Sequence, residues 1–111
     1  MGGPLETRNG GFRCGERELR VFRLVGKRWT LAILAALMQE PARFSELARS
    51  VPGLSERVMS ERLQELCEAR LVERQVQPGR PQAARYRLTA LGERLRPAVE
   101  SLMEAALTLP D

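Results

Sequence analysis

Residues 29–39 read WTLAILAALMQ and carry no charge at all. The apolar side chains fall on every side of a 3.6-residue turn, so a helix over Arg28–Gln39 must be buried on most of its faces. A chain of 111 residues has room for one domain around such a helix. The apolar stretch Trp29–Met38 is about half of the ~20 residues a membrane span needs, which makes it a core helix. The opening MGGPLE has no apolar signal region, and the sequence reading therefore places the chain in the cytoplasm with no membrane partner.

Composition narrows the chemistry. With 43% hydrophobic and 29% charged residues, the chain can build a core and is not wholly disordered. It contains no histidine, which removes histidine-based acid/base catalysis, the Ser-His-Asp and Cys-His arrangements and most zinc sites. Cys14 and Cys67 are too far apart for a CxxC motif. The expectation is a protein that is not an enzyme, with no cofactor and no metal. The net charge of +4 favours a polyanionic partner and specifies none. It is unevenly placed: residues 1–28 and 73–96 are basic, residues 40–70 are close to neutral, and residues 97–111 are acidic.

The remaining elements follow from punctuation and period. Residues 1–13, rich in glycine, read as a flexible arm preceding a domain over 14–107. Glu16–Val25 is a short helix closed by Gly26, and Pro41 ends the core helix. Phe44–Ser50 is a helix of about two turns, and VPGL at 51–54 is a turn after which Ser55 caps a helix to Arg70. In that helix Met59, Leu63, Leu66 and Cys67 share one face, and Arg57, Ser60, Glu61, Gln64 and Glu68 lie opposite. Residues 72–77 and 84–88 alternate as strands around a turn-rich tip at 78–83. Thr89 caps a last helix over about 90–107, with a bend at Pro97. The fold class is thus mainly α with a small β-hairpin, in the order of a winged helix-turn-helix, whose second helix fits a DNA major groove.

The runs LVGKRWTLAILAAL, RFSELARSVPGLSERVMSERLQELCEARLVERQV and ARYRLTALGERLRPAVESL resemble the HxlR-type family of bacterial transcription regulators, a branch of the MarR-like winged-helix proteins. The resemblance runs from about Leu24 to Leu102. It implies a sequence-specific regulator that binds a pseudo-palindromic double-stranded operator as a homodimer. The dimer would form through the first and last helices, at Leu19, Phe22, Leu95, Val99, Leu102 and Ala106.

In that frame Arg57, Ser60, Glu61 and Gln64 are the candidates for base edges, because arginine pairs with guanine, glutamine with adenine, and glutamate accepts from cytosine. Lys27, Arg28, Arg43, Ser45, Ser55, Arg80 and Arg85 are the candidates for the DNA backbone, with the tip at 78–83 as the wing. Ala83 stands where the family often has arginine, so that contact is either lost or taken over by Arg80 or Arg85. Some members sense thiol-reactive compounds through a cysteine just before the first helix. Cys14 lies two positions upstream of that place, which Glu16 occupies, and is either a redox sensor or a surface thiol. Cys67 reads as an inert packed residue, and a small-molecule effector is left open. The competing reading is a winged-helix protein-interaction module that uses the glutamate-bearing helix as its contact surface.

Overall fold

The structure, a computed structural model, describes residues 11–111. The arm expected over 1–13 therefore lies, up to residue 10, outside the described residues. Six helices and three strands follow: α1 (Glu16–Val25), α2 (Thr30–Gln39), β1 (Ala42–Arg43), α3 (Phe44–Ser50), α4 (Glu56–Glu68), β2 (Val72–Gln77), β3 (Arg80–Leu88), α5 (Ala90–Glu93) and α6 (Arg96–Ala106).

The uncharged run forms α2 as expected, with Ile33, Leu34, Leu37 and Met38 buried. It begins at Thr30 because Trp29 takes a left-handed conformation (φ 79°), which ends the continuity with α1. Around α2 pack Leu47 of α3, Met59, Leu63 and Leu66 of α4, and Val72 and Leu88 of the sheet. Burying a side chain of this size contributes about 1.5–3 kcal/mol, so these contacts fix where α4 stands on the body. The turn between α3 and α4 needs Gly53 at φ 89°, a conformation that favours glycine.

The hairpin gains a third strand: the order is β1-β3-β2, with Ala42 opposite Tyr86 and Arg43 opposite Arg85. A two-residue strand carries too little alternation to be read from sequence. At the far end Pro78 and Gly79 (φ 74°) form the two-residue turn, and β3 starts at Arg80, well before the expected residue 84. Pro81 is tolerated there because β1 pairs only with residues 85 and 86 of β3, leaving its outer half an edge.

The C-terminal helix departs from expectation. It is two helices, α5 and α6, broken at Arg94–Leu95, and Pro97 sits in the first turn of α6 where a missing N–H costs nothing. Thr89 caps α5 by accepting from the Gly92 N–H at 3.0 Å, and its own hydroxyl donates to the Arg70 carbonyl. Gly92 is buried against β2, and a Cβ there would overlap the carbonyl oxygen of Leu71. Val99 is also a correction: expected at a subunit interface, it is 3% exposed and belongs to the core of its own chain. From Glu100 onward every residue is exposed.

Candidate nucleic-acid interface

Ser55 caps α4 by accepting the Val58 N–H at 3.1 Å, so the hydroxyl expected at phosphate already satisfies one free amide of the first turn. With Met59, Leu63 and Leu66 turned inward, Arg57, Ser60, Glu61 and Gln64 are all exposed on the opposite side. The four base-edge candidates thus share one free face. Arg57 lies 3.4 Å from Glu61, and Gln64 donates to Glu68 at 3.5 Å. The Arg57 side chain is 82% exposed, and such surface pairs are worth only about 0.2–1 kcal/mol, so a base edge can displace them.

The four carboxylates of α4 are unfavourable for a helix facing phosphate. The structure removes part of that objection by turning Glu65 away from the free face, where Lys27 reaches it at 2.7 Å and Arg62 at 3.4 Å. Arg62 also donates to the Arg28 carbonyl at 3.0 Å. Lys27, expected at the DNA backbone, is therefore engaged with α4. The exposed Arg28 guanidinium stacks over the Trp29 ring, 4.8 Å from its centroid.

The outward face of the sheet carries a second basic surface. Arg85 lies opposite Arg43 on one side and Gln75 on the other, so the three side chains form one row across the strands. Arg80 lies beside the row, and Arg43, Gln75, Gln77, Arg80, Ala83 and Arg85 line a shallow groove of about 630 Å³. Among the described residues Arg43, Arg80 and Arg85 make no ion pair, whereas Arg87 is held by Glu73 at 2.6 Å. Ala83 sits in the groove with Arg80 and Arg85 around it. Gln75 and Gln77 were missed in the sequence, although the alternation of β2 places residues 73, 75 and 77 on one face. Exposed Ser45 lies in the first turn of α3 near this surface. Glu46 borders the row; the Arg43 N–H donates to it at 2.7 Å, and with the charges of Arg85, Arg43 and Arg49 holds its carboxyl below the usual range.

Cys14 is half-buried immediately before Gly15, the N-cap of α1, and its thiol points to the Gly15 carbonyl at 3.8 Å. Glu16 and Glu18 occupy the first turn of α1. Burial pushes the Cys67 thiol up, in keeping with a packed residue. No residue of α1 is buried, and Val21 and Phe22 are exposed, as are Leu102 and Met103 of α6. Leu19 and Leu95 are half-buried and Ala106 is exposed. A groove of about 690 Å³, lined by Trp29, Ala32, Ala36, Pro52 and Met103 among others, runs between α2, the turn and α6. Among the described residues there is no metal-binding cluster and no helix long and apolar enough to cross a membrane.

Helix, turn, exposed helix and basic hairpin on one small core define a winged helix-turn-helix protein. The profile of the HxlR-like helix-turn-helix proteins matches residues 24–108, and the chain belongs to that family. It is 38% identical over 93 residues to the HTH-type transcriptional regulator YodB of Bacillus subtilis, covering 84% of this chain and 82% of the relative. The reduced form of YodB superposes with a TM-score of 0.73, 39% identity, and coverage of 84% of this chain and 90% of that one. The redox regulator HypR in its reduced form gives a TM-score of 0.77 at 25% identity, covering 84% of this chain and 92% of that one.

Proposed function

We propose that the protein is a sequence-specific, double-stranded DNA-binding transcription regulator that acts as a homodimer on a pseudo-palindromic site. In this reading α4 enters the major groove with Arg57, Ser60, Glu61 and Gln64 toward base edges. The wing around residues 78–83 rests on the backbone or in the minor groove, and Arg28, Arg43, Arg80 and Arg85 engage phosphate. The observation that carries it is the row of arginines on the outward face of the sheet, without ion pairs among the described residues, on the same core that leaves one face of α4 exposed. A patch of free guanidinium groups is what a phosphate backbone recognises, and a protein-interaction module has no need of it.

The test is selection from a random duplex pool followed by salt titration. Enrichment of an inverted repeat, with log K falling by about 0.9 per phosphate neutralised, is expected. A chain that enriches no duplex while retaining a partner protein would overturn the reading in favour of an interaction module.

The relatives also support a thiol-reactive signal, since YodB has been solved in reduced, diamide-treated and quinone-bound forms. In this chain the signal would be read at Cys14, the thiol outside the packed face of α4. Diamide is then expected to release DNA from the wild-type protein and not from Cys14→Ser. Equal release from both would reduce Cys14 to a surface thiol.

A further inference from the structure

Three consecutive residues at the α1–α2 junction each grip the helix-turn-helix at a different place. Lys27 binds Glu65 at 2.7 Å, the Arg28 carbonyl accepts from Arg62 at 3.0 Å, and the Trp29 ring packs against the turn at Gly53. The two polar contacts bridge 38 and 34 residues of chain. Glu65 is the common point, because Arg62 reaches it at 3.4 Å while donating to the junction. The cluster is partly shielded, with the Arg62 side chain 17% and the Glu65 side chain 27% exposed. The left-handed Trp29, with Arg28 stacked on its ring, gives the junction a defined shape rather than a loose one.

We propose that Glu65, with Arg62 and Lys27 as its arms, is a positioning residue that fixes the angle between α1 and α4 and so sets the spacing of the operator half-sites. The inference rests on the dimeric DNA-binding reading above. The buried face of α4 anchors it on the body by apolar contacts, which are not directional in themselves. The ionic cluster at the edge is directional and ties α4 to the end of α1, whose exposed apolar side is the surface offered to a second subunit. About 14 Å of helix separates Glu65 from the first turn of α4. Over that lever a tilt of about 14° moves the reading end by about 3.4 Å, the rise of one base pair.

The test uses the full chain and duplexes in which two copies of the selected half-site are separated by spacers of varied length. The wild-type protein is expected to prefer one spacer. Glu65→Gln, similar in size but uncharged, should lower that preference about 3- to 10-fold while changing affinity for a single half-site by no more than about 2-fold. Arg62→Lys keeps the charge but cannot span both partners, and should broaden the spacing in the same way; it carries the test if Glu65→Gln does not fold. A folded variant that keeps the wild-type spacer preference overturns the inference alone, as does a wild-type protein with no spacer preference. A wild-type protein that selects no duplex overturns the functional reading and this inference with it.

Discussion

The free face of α4 and the outer face of the sheet both present arginine, in opposite electrostatic states. On α4, Arg57 lies against Glu61, and Arg62 is bound to Glu65 and the Arg28 carbonyl. On the sheet, Arg43, Arg80 and Arg85 form no ion pair among the described residues, and Glu46 is the carboxylate that borders them. Unpaired charge acts at a distance of about a Debye length and toward any phosphate, whereas a neutralised face acts only on contact and by shape. On the proposed DNA-binding reading, the division would give attraction to the sheet and discrimination to α4.

The contrast fails if α4 is not a rigid platform, so the largest expected effect is on the platform itself. Leu66, fully buried beneath α4, when replaced by alanine should lower unfolding free energy by about 2–5 kcal/mol in urea titrations. Next, Arg43→Ala with Arg85→Ala should weaken binding to all duplexes on the order of 10- to 100-fold at low salt and reduce the salt slope by about 2. Arg87→Ala, which removes a guanidinium already held by Glu73, should leave that slope nearly unchanged and is the internal control. Arg57→Ala should cost about 1–3 kcal/mol of preference at one base position, measured by competition between matched and mismatched duplexes. If it instead weakens every duplex equally, the division of labour is wrong.

The smallest effect concerns pH. The Glu46 carboxyl lies below its ordinary value of 4.5, chiefly because the Arg43 N–H donates to it. A depressed folded-state pKa means that its stabilisation is fully present above about pH 4.5 and is lost as pH falls through the lowered value. Thermal midpoints of Glu46→Gln should therefore approach those of the wild type in acid and separate from them toward neutral pH.

Local signals made much of this legible. The uncharged run, the Ser55 cap and the one-sided apolar spacing of α4 each report on neighbours within a turn and each reappears in the structure, whereas β2 forms as a strand but leaves Val76 exposed. The departures are contacts between distant residues. The row joining Arg43 to Arg85 depends on a two-residue strand pairing across 42 positions, and the Lys27–Glu65 contact across 38. Periodicity carries no register between segments so far apart. The stripe Leu95, Val99, Leu102, Ala106 has correct helical spacing, yet one end lies in the core and the other beyond it. Spacing records which residues share a face and not where the body of the protein stops. The homodimer and the individual DNA contacts lie beyond what local spacing records, because both belong to partners rather than to the fold.

Gly92 has a consequence for how this chain can vary. Its α-carbon is pressed to the Leu71 carbonyl at the place where α5 docks on the start of β2, and there is no side chain small enough to replace the hydrogen. In a saturation library this position should tolerate no substitution, even though it is not among the proposed DNA-contacting residues. Loss there would push the C-terminal helices outward while leaving every proposed DNA contact intact in sequence, producing alleles that keep the reading surface and lose the joint on which a second subunit would be mounted.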